Sequence, residues 1–176
     1  MKKLFSLLAM ALCISAIAQA DQLVVDCGNS ATITATPATG YHFVRWNDLN
    51  TDNPRTITPT EDATYTAFFA INQYTIIFQN YDGTELQKET VNHGDAVSYK
   101  GTVPTKPATA QYTYTFKGWD PVVSEVEGNV TYTATYDKTT NKYTVTWVNY
   151  DNTELEKDEN VEYGTMPEYN GSNPTK

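Results

Sequence analysis

YTIIFQNYDGTELQK, residues 74–88, returns as YTVTWVNYDNTELEK at residues 143–157, with nine of fifteen positions identical at an offset of 69. Each copy opens on a two-residue alternation. Tyr74, Ile76 and Phe78 share one face of a strand against Thr75, Ile77 and Gln79, and the second copy sets Tyr143, Val145 and Trp147 against Thr144, Thr146 and Val148. A tight turn follows: Asp82 and Gly83 tolerate positive φ, and Asp151 with Asn152 replaces the glycine by the next-best residue for a left-handed backbone. Returning strands are expected over residues 86–91 and 155–161. Gly94 aligns with Gly164 at an offset of 70, so one extra residue enters the second copy, which a turn or bulge can absorb. A unit copied in tandem ordinarily serves spacing, display or multivalent binding, whereas a catalytic site is assembled once from unlike parts of a chain.

Beyond the hairpin lies a Gly, Pro and Thr-rich connection, residues 101–107, which recurs as residues 171–176. In the complete unit it leads to Tyr112-Thr113-Tyr114-Thr115-Phe116, then Gly118-Trp119-Asp120, then a closing strand over residues 131–136 that carries Tyr132. The last copy stops before all of these. Two strands alone are marginal in water, so residues 139–176 are expected to be the least stable part of the chain and the natural protein to be longer. A divergent first unit places Tyr41, Phe43 and Trp46 loosely where the middle unit has Tyr112, Phe116 and Trp119, and Tyr65-Thr66-Ala67-Phe68 where it has Tyr132-Thr133-Ala134-Thr135. Its middle loop is longer, and residues 23–25 and 31–35 read as strands. Boundaries near Ala70 and Lys138 give units at residues 21–70, 71–138 and 139–176. Thirteen tyrosines alternate with Thr and Val, and no stretch after residue 20 has a 3.6-residue apolar period, so the fold is expected to be mainly β with no substantial helix.

Residues 1–20 read as a secretory signal: Lys2 and Lys3, an apolar run over 4–17, and Ala18-Gln19-Ala20 as the cleavage site. The run is shorter than the roughly 20 residues a membrane span needs. Cys13 invites a lipidation reading, which bulky Leu12 just before it argues against. Cleavage leaves ten basic and twenty-one acidic residues, a net charge of −11, which repels nucleic-acid phosphates and anionic lipid. Cys27 is then the only cysteine, so no intramolecular disulfide staples units that are small for a single core.

The order of strand, YDGTEL turn, strand, Gly/Pro connection, YTYTFKGWD and closing YTATY over residues 74–138 resembles the B-repeat of internalin B, the Listeria-Bacteroides repeat. Residues 143–176 resemble its first half. Residues 23–70, with ATPATGYHFVRWND, NTDNPRTI and ATYTAFFA, resemble the divergent B-repeat of secreted bacterial proteins, although Val44-Arg45 stands where the middle unit has Lys117-Gly118. The resemblance implies small β-grasp-like units strung in tandem in exported or surface-anchored proteins, with an adhesion or stalk role and no catalytic residues.

Trp46 and Trp119 invite a sugar-stacking reading, but recurrence at one place in each unit favours a core plug, with Tyr74, Phe78, Phe116, Tyr132, Tyr143 and Trp147 as further core positions. Trp119→Ala is expected to cost ~3–5 kcal/mol and unfold the middle unit. Asp48, Asp52, Asp62, Asp82, Asp151 and Asp158 suggest calcium, and Asp48-Asn50-Asp52 comes closest to alternating oxygen ligands, yet no bidentate Glu closes a loop. His42, His93 and Cys27 lack zinc-ligand spacing. Glu125 and Glu127 pair without a pocket, and no GxSxG, HExxH or phosphate-cradling glycine loop is present. No catalytic, metal or cofactor site is expected. The function expected is a secreted or cell-surface tandem-repeat protein, non-catalytic, serving as spacer or adhesion module. Its partner would be a protein or glycan on a cell surface or matrix, besides neighbouring repeats; the chain would bind no nucleic acid and have no membrane span after cleavage. The alternatives are an N-terminal appendage of a larger secreted enzyme, or glycan-binding repeats.

Overall fold

The computed structural model describes residues 28–176 and, as backbone only, Leu4–Phe5 and Leu23–Val24. The rest of the expected signal segment, which includes Cys13, lies outside the described residues, and so does Cys27 beyond it. Every regular element among the described residues is a strand: β1 (Leu4–Phe5), β2 (Leu23–Val24), β3 (Ala31–Ile33), β4 (Tyr41–Trp46), β5 (Arg55–Ile57), β6 (Ala67–Ile71), β7 (Gln73–Gln79), β8 (Glu85–Asn92), β9 (Tyr112–Asp120), β10 (Val130–Thr140), β11 (Lys142–Val148) and β12 (Glu154–Glu162). The protein is mainly β, as its alternating Tyr, Thr and Val require.

In the first repeat β3 pairs with β5 and β4 with β6, all antiparallel. Their inward residues Ile33, Ala35, Trp46, Ile57 and Ala67 form one core, flanked by Phe43, Tyr65 and Phe69. Strand β5 corrects the expectation of a plain long loop between Trp46 and Tyr65. Ile57 there is buried opposite Ala31, and that burial gives three residues a reason to pair.

The departure at Val44-Arg45 turns out to preserve structure. Pairing slips between Phe43 and Arg45, leaving Val44 as an extra residue, and it slips again where Phe116 and Gly118 oppose Tyr136 and Thr135, leaving Lys117 extra. Both are bulges on the strand just before a tryptophan, and each re-aims the residues after it. Trp46 then faces Ala67 and Trp119 faces Ala134, alanines that are both 2% exposed.

The middle repeat is a four-stranded sheet in the order β8-β7-β10-β9. Strands β9 and β10 are antiparallel. Thr75 bonds to Asn129 and Gln79 to Thr133, so partners advance together along β7 and β10 and the two run parallel. That is a β-grasp strand order, with irregular segments crossing between the strands. Phe78, 0% exposed, stacks on Tyr132 at 4.9 Å and meets Trp119 at 4.8 Å. Trp119 is only half-buried, packed on Tyr99 and Phe116, so Phe78 and Tyr132 are the fully buried plugs there.

The third repeat is the pair β11–β12. Two residues expected in a core lie elsewhere. Tyr143 is 45% exposed, and Trp147 is half-buried against Tyr169, its indole N–H donated to Asp158 at 2.9 Å. No strand of the β10 kind covers this face among the described residues, so burial has no second layer to draw on. The extra residue of this copy is a bulge: two steps on β11 oppose three on β12, and Asn160 there takes a φ of 62°.

By contact the chain divides into two compact units. One comprises residues 1–76, 89–97 and 124–130, and the other residues 77–88, 98–123 and 131–176. The first contains the passage from the first repeat into the middle one. The second contains the passage from the middle repeat into the third.

Candidate functional site

Those two passages are built alike. A single residue separates β6 from β7 and β10 from β11: Asn72 in one case, Asn141 in the other, 69 positions apart. Asn72 donates its backbone N–H to the Gly40 carbonyl at 2.8 Å and accepts at its own carbonyl from the His93 N–H at 2.9 Å. Its side-chain Oδ1 bonds the His42 ring Nδ1 at 2.8 Å. Asn141 donates to the Gln111 carbonyl at 2.9 Å, accepts from the Tyr163 N–H at 2.9 Å, and takes the Thr113 hydroxyl on Oδ1 at 2.6 Å. Its Nδ2 adds bonds to the carbonyls of Thr109 and Ala110 at 2.8 and 3.1 Å, and Tyr143 donates its phenol to Ala110 as well.

Each asparagine therefore ties the strand that leaves one repeat to the strand end behind it and to the return strand ahead. The amide side chain suits the place because it offers donor and acceptor from one short stem. At the first joint a further feature is specific. Gly40, at a φ of +81°, lies so close under the His93 ring that an added Cβ would fall 2.1 Å from it, so only glycine fits. Asn72 and Asn141 lie just upstream of the copied fifteen residues. Their identity at the repeat offset was the available signal, although nothing in the sequence told of the bonds they make.

The turns are copied as closely. Asn80 donates to Thr84 at 2.8 Å and Gly83 to Asn80 at 3.0 Å, while Asn149 donates to Thr153 at 2.8 Å and Asn152 to Asn149 at 3.0 Å. Gly83 and Asn152 take φ values of 84° and 65°. Asp82 accepts from the Thr84 amide at 3.0 Å and Asp151 from that of Thr153 at 3.1 Å. The backbone amide of Thr84, helped by its hydroxyl, holds the Asp82 carboxyl below its ordinary range, and the hydroxyl of Thr153, followed by its amide, does the same for Asp151.

The remaining acidic candidates have structural partners. Both oxygens of Asp48 are taken by the Arg55 guanidinium at 2.8 Å, which lowers the Asp48 pKa, and Asn50 and Asp52 bond each other in a turn beside it. Arg55 also lies over the Tyr65 ring at 5.0 Å. Tyr74 packs edgewise on His93, and Phe116 on Tyr136. No helix among the described residues is long and apolar enough to cross a membrane.

Residues 15–73 match the family described as the divergent InlB B-repeat domain. This is the family expected for the first unit from its GYHFVRW and YTAFFA segments. Among solved structures the chain is similar to Streptococcal High Identity Repeats in Tandem (SHIRT) domains 3-4 from a cell surface protein, at 18% identity over 80% of this chain and 99% of that one. The TM-score is 0.28, too low to define a shared arrangement.

Proposed function

We propose that this chain is an exported tandem-repeat spacer, non-catalytic, whose successive units hold a ligand-presenting end at a set distance from the cell surface. One observation carries the reading: the joint is copied along with the repeat. A chain whose repeats were independent beads would need only a loose linker, and Gly/Ser-rich sequence would serve. Here a single asparagine links consecutive strands at both passages, bonded through backbone and side chain alike. The signal-like N-terminus and the B-repeat match support export and a surface setting.

The test is a distance distribution on the full chain, measured by electron-electron resonance between spin labels at exposed Thr56 and Thr90 across the first joint, and at exposed Thr115 and Glu159 across the second. Both distributions should be narrow, and Asn72→Gly or Asn141→Gly should broaden the matching one alone. Broad distributions in the unsubstituted chain would remove the spacer reading.

A further inference from the structure

The sequence holds two histidines, His42 and His93, and both stand at the first joint. His42, on β4, bonds the Asn72 side chain, and His93, just past β8, donates its amide to the Asn72 carbonyl. The second joint is the same construction without them. Thr113 bonds Asn141 where His42 bonds Asn72, and Tyr163 donates its amide where His93 does. Even the ring contact is kept: Tyr74 meets His93 at 6.2 Å, and Tyr143 meets Tyr163 at 6.5 Å. Of these side chains only the two imidazoles ordinarily change charge between about pH 5 and 8.

The two imidazoles meet a proton differently. Asn72 Oδ1 only accepts, so the His42 Nδ1 at 2.8 Å from it already carries a hydrogen, and a further proton goes to Nε2 without breaking that bond. His42 is exposed there. His93 has its Nδ1 shut off from solvent, with no hydrogen-bond partner among the described residues. A neutral ring can leave that nitrogen bare and carry its hydrogen on Nε2. An imidazolium makes it a buried charged donor without an acceptor, a state that folding disfavours strongly. The ring has no slack in which to turn, since it lies against Gly40 so closely that a Cβ there would fall 2.1 Å from its Cδ2. The titratable groups beside it are Tyr41 and His42 on β4, Tyr74 on β7, Asp95 in the turn after β8, and Glu125 and Glu127 on the segment bonded to that turn through Gly94 and Val126. Arg45, the one permanent charge on β4, is laid over the Phe68 ring at 4.6 Å. Asp95 gives its Oδ2 to the Asn92 amide at 3.1 Å, and all three carboxylates are exposed. A protonated ring is therefore better served in solvent, among water and counter-charge, than in its seat.

We propose that the first joint is a pH-sensitive release and the second is not: protonation of His93 drives its ring from the seat on Gly40, breaks the amide bond to Asn72, and loosens the passage between the first repeat and the middle one. Proton uptake accompanies the opening, so the joint is closed at neutral pH and yields as pH falls through the histidine range. The release rests on the spacer reading, because it acts on the joint which that reading makes rigid. A chain built this way is stiff at both joints near neutrality and gives at one chosen place in acid.

The experiment compares the Thr56–Thr90 and Thr115–Glu159 spin-label distances of the full chain at about pH 7.5 and about pH 5. The first distribution should widen at least about twofold in acid and narrow again on return to neutral pH, while the second keeps its width. His93→Phe keeps a ring on Gly40 and against Tyr74 but takes no proton, and should hold the first distribution narrow at both values. His42→Gln should leave the widening in place. Should the Phe variant not seat its ring, NMR of the unsubstituted chain puts the same question: the Gly40 and Asn72 amide shifts should move with the titration of the His93 ring, at one common midpoint. A first distribution narrow at both pH values overturns the release and leaves the spacer reading standing, whereas one already broad at neutral pH overturns both. Equal widening at the two joints, widening that persists in His93→Phe or vanishes in His42→Gln, or a His93 titration that leaves the Gly40 amide unmoved, each overturns the release alone.

Discussion

The hairpins β7–β8 and β11–β12 share a turn, a connection and a joint, yet they treat their central aromatic differently. Phe78 is sealed beneath Tyr132, Trp119 and Tyr99, whereas Trp147 has Tyr169 and an aspartate. Everything within hydrogen-bonding reach along the chain was reproduced in the copy. Among the described residues, β11 and β12 have no counterpart of β9 and β10 against them. The pair thus separates two contributions usually measured together: local backbone chemistry, which shapes a hairpin, and a second pair of strands, which buries it.

The largest expected effect follows from burial. Phe78→Ala should destabilise the middle repeat by ~3–5 kcal/mol, while Trp147→Ala, whose ring is half in solvent, should cost the third repeat about 1 kcal/mol. Residue-resolved hydrogen exchange on the full chain reads both, and in the unsubstituted protein β7 should be protected well beyond β11. Strong protection of residues 143–147 would break the comparison outright.

Backbone strain comes next. Gly83→Ala puts a Cβ on a residue at a φ of 84° and should cost ~1–2 kcal/mol, although no neighbour lies within 4 Å of the added carbon. Asn152→Gly should change stability by only a few tenths, because asparagine already accepts this conformation at modest cost. Urea unfolding of the two variants compares them. Equal costs would mean that the third turn is not held in its left-handed form.

Tyr136→Phe probes one thread from β10 to the hairpin. The Tyr136 hydroxyl, whose pKa is raised by burial, bonds the Asn80 side chain at 2.6 Å. Its loss should cost ~0.5–1.5 kcal/mol in the middle repeat and leave β11–β12 amide shifts unmoved. A shift spreading into the third repeat would show the hairpins to be coupled in ways the copied parts do not explain.

These differences mark what could be read beforehand. Strand faces, turns, the extra residue in β12 and the uncovered third hairpin were all legible, because period-two alternation and left-handed turn residues are local signals. The bulge at Val44 was hidden, since a single unpaired residue changes no composition and its sequence differs entirely from Lys117. Tyr143 was misplaced for a related reason: identity with Tyr74 fixes which face a side chain takes, while its burial depends on covering strands, none of which lies against β11–β12 among the described residues. Asn72 and Asn141 lie just past the boundaries expected near Ala70 and Lys138. Their roles depend on bonds to Gly40, His93, Gln111 and Tyr163, residues 21 to 32 positions away, and no local pattern announces such partners.

The smallest effect is the sharpest test of what is local. Asp82 and Asp151 are both held below the ordinary aspartate value of 3.8, each by the threonine two residues on. A carboxyl whose folded pKa is depressed contributes stability that is fully present above its unfolded value and fades as pH falls through the folded one, so both turns should weaken only below pH 3.8. Since the cause lies within the turn, the two aspartates should titrate alike even though one hairpin is covered and the other bare. NMR titration of the two side-chain carboxyls between pH 5 and 2 measures this directly. If Asp151 titrated at or above 3.8 while Asp82 stayed below it, the third turn would owe its shape to a cover it lacks, and the division between local shape and borrowed burial would fail.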